Sequence, residues 1–221
     1  ALIDTGKDEE LVANCLHDAG VSEIDLLVLS HFDSDHVAGL PGVIERVKGR
    51  VLVSPFQDSR SIVDRSYELA RQLGVEVDHA YVGMQGELGQ AKWMVLSPSP
   101  TAIEANDSND ASVTMVFDFG NFALLTLGDL GEAGQQRLLK NQPSILQQLA
   151  MRELVVKVAH HGSADQYAEL LEYLHPAVAL ISVGKNNGYG HPTERAMHAL
   201  SLGGSRILRT DDSGAIALAP A

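Results

Sequence analysis

The chain has 221 residues, 45% of them hydrophobic, with 16 basic against 29 acidic side chains and a net charge of −13. That hydrophobic share excludes a disordered chain, and the length suits one α/β domain, residues 1–221, with a substantial core. The acidic balance argues against a broad basic nucleic-acid-binding face. It leaves a nuclease open, because acids gathered round metal ions are locally outweighed by the ions' charge. No apolar stretch approaches the roughly 18 residues of a membrane span, and no N-terminal segment reads as a signal peptide. The single cysteine, Cys15, cannot form an internal disulfide.

Residues 2–6 read as a strand ending in a turn, with Asp4 at its end. Residues 8–19 follow a helical pattern with Leu11, Val12, Cys15 and Leu16 on one face, stopped by Gly20. Residues 24–29 are an apolar run that reads as a buried strand. It stops at Ser30-His31-Phe32-Asp33-Ser34-Asp35-His36, where two imidazoles and two further carboxylates fall within six residues. Strand C-terminal ends are where α/β folds place ligands. Imidazole mixed with carboxylate suits zinc, manganese or iron, whereas a calcium loop uses Asp or Asn with a closing Glu. Gly39, Pro41 and Gly42 follow, then a short helical pattern at Val43, Ile44 and Val47.

Residues 51–53 read as a strand, 59–73 as a helix ended by Gly74, and 75–82 as an alternating strand, with Gly83, Gly86 and Gly89 marking turns. Residues 93–96 are a strand, and 99–111 form a polar loop holding Asn106, Asp107, Ser108, Asn109 and Asp110. Residues 112–117 and 122–127 read as a hairpin running into Gly128-Asp129. Helices are expected over 132–140 and 144–150, broken at Pro143. The strand 154–159 ends in His160-His161-Gly162-Ser163, the second cluster of ligand-type residues. A helix over 165–174, a strand over 178–183 and a glycine-rich loop, 184–192, precede a helix over 193–202 started by Pro192 or Thr193. Residues 205–210 and 215–219 read as a closing hairpin. His17, His79, His175 and His198 have no ligand-type neighbours and read as surface, cap or packing residues.

The His31-x-Asp33-x-Asp35-His36 cluster resembles the His-x-His-x-Asp-His signature of the metallo-β-lactamase superfamily, with Asp33 replacing the second His. Ser30, Gly39, Asn109-x-x-Ser112, Lys157-x-x-His160-His161-Gly162-Ser163 and Asn187-x-Tyr189-Gly190-His191-Pro192 resemble the C-terminal hydrolase domain of ComEC-type DNA-uptake channel proteins of bacterial competence. The resemblance spans residues 2–192. It implies an αββα sandwich, two sheets back to back with helices outside. A hairpin normally precedes the first strand in that family, so a sheet short of those strands is expected.

It also implies two divalent cations, manganese or zinc, with magnesium an option. His31, Asp33, Asp35, His36, Asp129 and His160 are the implied ligands, Asp129 bridging, and Asp4 orients the ligand loop. A plain turn-closing role for Asp4 is an equal reading of the residues alone. The superfamily's third histidine is absent; Asn109, Asp110 and Ser112 stand in its place, which makes the site oxygen-rich. Asp35, His161 and His191 are candidate proton-handling residues, with either His160 or His161 open as the last ligand. Asn109, Ser112, Lys157, Ser163, Asn187 and Tyr189 are candidate substrate contacts. The implied activity is a phosphodiesterase acting on DNA, single-stranded in preference. Its setting is strand degradation during uptake, on the outer or periplasmic side of the cytoplasmic membrane and attached to a channel domain. A small-molecule metallohydrolase (lactone, thioester or cyclic nucleotide) and a degenerate, non-catalytic domain are the alternatives. A β-lactamase fits less well, because of Asp33 and the missing histidine.

Overall fold

The computed structural model describes residues 1–100 and 107–218. The chain forms two compact units, residues 1–84 with 97–113, and residues 85–96 with the chain from 114 on. The first holds a four-stranded parallel sheet in the order β1 (Leu2–Ile3), β2 (Ile24–Leu29), β3 (Val47–Val53), β4 (Val77–His79). β2 is buried at every position but Asp25, as expected of a parallel strand covered on both faces. Helices α1 (Glu9–Asp18), α2 (Ser34–Val37) and α3 (Ser61–Gln72) make the crossovers. Asp8 caps α1, accepting from the Glu10 and Leu11 amides at 3.0 Å. Leu16, Leu27, Leu29, Val37, Ile44 and Val53 lie in this unit's core.

Three expectations change in this unit. Val47 opens β3 rather than extending a helix, and residues 40–46 form two 3₁₀ turns, Leu40–Gly42 and Ile44–Arg46. The early part of β3 was hidden by its polar residues Lys48-Gly49-Arg50. Gly49 is required there, since a Cβ would sit 1.9 Å from the Asp25 carbonyl oxygen, where the β2–β3 register shifts. Leu11 and Cys15 are exposed, so only Leu16 of the expected apolar face of α1 is buried. The 75–82 strand shortens to β4, and His79 bonds the Tyr67 hydroxyl, the structural role expected of it.

The second unit holds a seven-stranded mixed sheet in the order β11-β10-β9-β8-β7-β6-β5. Its strands are β5 (Gln85–Leu88), β6 (Ala91–Ser97), β7 (Thr114–Asp118), β8 (Ala123–Thr126), β9 (Leu154–Lys157), β10 (Val178–Ile181) and β11 (Arg206–Arg209). β8 to β11 are parallel, which brings the C-terminal ends of β8, β9 and β10 to one rim. Helices α4 (Glu132–Asn141), α5 (Pro143–Ala150), α6 (Ala168–Leu174), α7 (Glu194–Leu202) and α8 (Thr210–Ser213) complete it. Leu125, Leu127, Leu130, Leu146, Leu154 and Leu170 are fully buried in its main core. At the far end of the sheet Arg152 pins the β7–β8 turn, donating to both Asp118 oxygens at 2.7 and 2.8 Å and to the Gly120 carbonyl at 2.7 Å.

β5 was read as turns. Gly86 lies within that strand because a Cβ would come 2.6 Å from the Trp93 ring across the hairpin. α6 starts at Ala168, later than expected, and β9 and β10 end two residues early. After β11 the chain enters α8, and among the described residues no strand follows; the end of the expected closing hairpin, residue 219, lies outside them. Asn106 and the part of the polar loop over 101–106 also lie outside the described residues. Among the described residues no helix is long and apolar enough to cross a membrane.

Candidate metal centre

In the first unit the ligand loop leaves β2 fully buried and turns into α2. Asp4, at the end of β1 with φ of 58°, holds it together. Its Oδ1 accepts the Ser30 amide at 2.7 Å, and its Oδ2 accepts the Ser30 hydroxyl and the His36 ring, each at 2.8 Å. His36 therefore carries its proton on Nδ1 and offers the Nε2 lone pair, the arrangement of a carboxylate-oriented metal ligand. Ser30 gives its one hydroxyl proton to Asp4, so it accepts from His31 Nδ1 at 3.1 Å, and His31 likewise offers Nε2. The two rings lie 4.1 Å apart, and both residues are buried.

Asp33 lies with Oδ2 3.8 Å from His31 Nε2. Its Oδ1 accepts from Arg60 Nη1 at 2.7 Å and Ser108 Oγ at 3.0 Å. His31, then Arg60 and Ser108, hold its carboxyl well below the usual carboxylate range against the opposing effect of burial. Arg60 also pairs with Asp58. Asp35, half exposed, has Oδ2 3.9 Å from His36 Nε2. Asn109 sits on a 3₁₀ turn, Asn109–Ala111, with a buried Oδ1 that has no hydrogen-bond partner among the described residues. Ser112 is fully buried. The Val113 amide donates to the Ser30 carbonyl at 2.9 Å and Ser54 Oγ to the Ala111 carbonyl at 2.8 Å, fixing this segment to the unit.

In the second unit Asp129 follows β8 and is 3% exposed. The residues after β9 make a tight left-handed turn, with φ of 47° at His160, 53° at His161 and 79° at Gly162. Two non-glycine residues in that region cost on the order of 1–3 kcal/mol each, and such strain clusters at functional sites. The turn aims both imidazoles at Asp129 Oδ2, His160 Nε2 at 3.8 Å and His161 Nε2 at 3.7 Å. His161 Nδ1 donates to the Ser182 carbonyl at 2.7 Å, which fixes its tautomer and ring. His160 Nδ1 is buried without a partner among the described residues. Lys157 Nζ donates to the Gly128 carbonyl at 3.3 Å and lies 3.9 Å from Asp129 Oδ1.

His191 meets His160 edge-on, with ring centroids 5.6 Å apart. Burial, then the nearby His160 and His161, lowers its pKa, so the neutral ring prevails at pH 7. Ser163 is buried and its hydroxyl accepts the Asp165 amide at 3.2 Å. Asn187 spends its side chain on its own loop, and Tyr189 is exposed.

Four contributors had no role in the sequence reading: Arg60 and Ser108 on Asp33, and the buried Gln135 and Gln166. Gln135 donates to the Leu130 carbonyl at 2.6 Å and Gln166 to the Ala159 carbonyl at 3.0 Å. They therefore tether the residues next to Asp129 and next to His160, and Gln135 Nε2 lies 3.3 Å from Gln166 Oε1. Ser108 carried a signal, its place in the Asx-rich loop. The other three sit on or beside helices with no local mark of their partners.

Oriented imidazoles, carboxylates and an amide oxygen with no hydrogen-bond partner among the described residues form donor sets that fit divalent cations. Replacing Asp4 by asparagine is expected to weaken metal affinity about 10–100-fold, read by titration with manganese, because His36 loses its orienting carboxylate. The same carboxyl sets an acid limit. Burial acts to raise its pKa, but the hydrogen bonds from His36 and Ser30 prevail and lower it. Its stabilising contribution is therefore complete above the unfolded value, about pH 4, and is lost as pH falls through the lower folded value. Asp4→Asn is expected to flatten that acid limb of the unfolding curve.

The metallo-beta-lactamase superfamily model matches residues 1–184. The chain is 30% identical over 210 residues, 94% of its length, to ComE operon protein 3 of Bacillus subtilis (strain 168). It is 31% identical over 219 residues, 97% of its length, to Competence protein ComA of Neisseria gonorrhoeae. It spans only 26% and 28% of those two proteins. Among solved structures it resembles the metallo-beta-lactamase fold protein YhfI of Bacillus subtilis, with a TM-score of 0.57 at 11% identity, covering 93% of this chain and 81% of that one. Zn(2+)-bound PqqB of Methylobacterium extorquens gives a TM-score of 0.51 at 10% identity, covering 93% and 78%. The α/β class expected from the ligand motifs is thus the fold observed, and this chain belongs to the metallo-β-lactamase superfamily, with competence proteins among its relatives.

Proposed function

We propose that this chain is a binuclear metal-dependent phosphodiesterase that cleaves DNA, degrading one strand during uptake, with residues 1–221 working as a single hydrolase domain. The observation that carries the reading is similarity over 94% and 97% of the chain to two proteins named for competence, within a superfamily of metal-dependent hydrolases. The family pattern assigns His31, Asp33, Asp35, His36 and Asp129 as ligands, with a terminal imidazole from His160 or His161. The Ser182 hydrogen bond favours His161 as that ligand, leaving His160 and His191 to face substrate. Asp33 and Asn109 make the donor set oxygen-rich, which suits manganese or magnesium as well as zinc.

Bound divalent cations would lower the pKa of water and offset charge on the phosphodiester. The chain's own groups do the rest. Asp35, half exposed, accepts the proton of the attacking water. Lys157 offers a cation to phosphate oxygens beside Asp129. The leaving oxygen takes a proton from solvent by way of the His160–His191 pair, whose His191 ring rests neutral at pH 7. The proposed setting is the outer or periplasmic side of the cytoplasmic membrane, with a channel domain of a longer protein as partner.

The test is a substrate panel with metal-stripped protein and manganese, zinc or magnesium added back: labelled single-stranded DNA, a cyclic nucleotide and a lactone. Preferential cleavage of the DNA is expected, strongest with manganese. Turnover of the lactone or cyclic nucleotide with DNA untouched would favour the small-molecule hydrolase instead.

A further inference from the structure

Resting on the phosphodiesterase reading above, we propose that the loop between β10 and α7 is a base-stacking platform. Tyr189, backed by His191, takes a nucleobase of single-stranded DNA next to the reacting phosphate. Tyr189 is 84% exposed, a large apolar ring held in water. It lies beside His191, with centroids 5.9 Å apart and planes 29° from parallel. His191 thus flanks the tyrosine while leaving most of the ring open to water. His191 in turn meets His160 edge-on at 5.6 Å, and His160 lies 3.8 Å from Asp129. The platform is therefore one ring away from the ligand cluster of its own unit.

The loop that carries the ring is closed by its own hydrogen bonds. Asn187 Nδ2 donates to the Gly184 carbonyl at 3.1 Å and the His191 carbonyl at 2.8 Å, and its Oδ1 accepts the His191 amide at 3.0 Å. Its side chain is spent on closing the loop, so Asn187 is a positioning residue rather than the substrate contact the sequence reading made it. Around the ring there is room. A Cβ on Gly184, Gly188 or Gly190 would meet nothing within 4 Å, so a flat ligand can approach the ring. Preorganisation of this kind lowers the ordering cost of binding.

The charge balance favours such a platform. Nucleic-acid affinity ordinarily comes from basic groups on phosphates, and this chain has a net charge of −13. Aromatic stacking is the other general source of single-strand affinity, and it is indifferent to sequence because every base has a π-face. A base inside a duplex is already stacked on both sides, so the platform selects a single strand or a frayed end. A protein partner would need an interface on the order of 1,000 Å², far more than one tyrosine ring.

The experiment compares manganese-dependent cleavage of a short oligothymidylate with cleavage of the same strand made abasic, using the parent, Tyr189→Ala, Tyr189→Trp and Asn187→Ala. Tyr189→Ala is expected to raise KM about tenfold on oligothymidylate, the size of one lost stacking contact. The rise should shrink to less than about twofold on the abasic strand, which has no base to stack. Tyr189→Trp should restore the parent KM, and Asn187→Ala should raise KM by loosening the loop. Equal losses on the two strands, or failure of tryptophan to restore KM, would overturn the platform while leaving the nuclease intact. A parent that cleaves neither strand but turns over a lactone would overturn the phosphodiesterase reading itself, and the platform with it.

Discussion

Asp35→Asn is expected to lower the rate of DNA cleavage by about 10²–10⁴-fold, the usual worth of a positioned general base, with the fold unchanged. The substitution is nearly isosteric and the side chain is 48% exposed at the start of α2, so no buried cavity results. Surface changes of this kind usually shift stability by no more than about 0.5 kcal/mol, which moves Tm of a chain this size by only about 1–2 °C. An asparagine oxygen would remain able to bind a cation, but it neither accepts a proton nor carries charge. The loss should therefore fall on kcat more than on KM. Single-turnover cleavage in manganese, beside a thermal melt, checks both halves. Full turnover with unchanged metal content would remove Asp35 from the chemistry.

Gly162→Ala is expected to damage both stability and activity. Gly162 has φ of 79°, and an added Cβ would come 2.7 Å from Pro192 Cβ. The left-handed backbone costs alanine roughly 1–2 kcal/mol, and crowding a packed position adds about 1–3 kcal/mol. The sum, about 2–5 kcal/mol, is a large share of a typical total of 5–15 kcal/mol. A drop in Tm of about 5–15 °C is expected. Activity should fall by about 100-fold even well below Tm, since a misplacement on the order of 1 Å costs that much. Gly162 closes the turn that aims His160 and His161, and its carbonyl accepts the Thr193 amide at 2.8 Å, so relief of the clash shifts both loops. Gly89→Ala is the control: its φ is 59°, but the space round it is open. It should show the backbone cost alone and no change in cleavage.

The candidate site is legible where its chemistry is contiguous. His31 to His36 and His160 to Ser163 each follow an apolar run, and a parallel strand's end is where such residues can gather. Asp4 could be given its orienting role only through resemblance. The residues alone could not pair it with His36, 32 positions away. The proposed preference for His161 over His160 was not legible either, because it rests on the carbonyl of Ser182, 21 residues on. β5 was lost because a glycine in a strand looks like a turn unless the Trp93 ring opposite it is known. Val47 and the polar start of β3 failed for a similar reason: periodicity reports burial, and Lys48 to Arg50 are exposed. Arg60, Gln135 and Gln166 carry no pattern of their own; each is placed by a partner that the fold brings to it.

The central claim, a catalytic pair of cations held by the family's ligand set, is tested most directly by counting metal. Protein stripped with chelator, reloaded with manganese and freed of excess ion should retain about two equivalents per chain. Asp129→Asn should retain about one or none, since the resemblance assigns that carboxylate to both ions. Two equivalents in the parent and fewer in the variant, with DNA cleavage tracking occupancy, is the predicted result. A folded parent that retains no manganese, zinc or magnesium would contradict the account and leave a domain without catalysis.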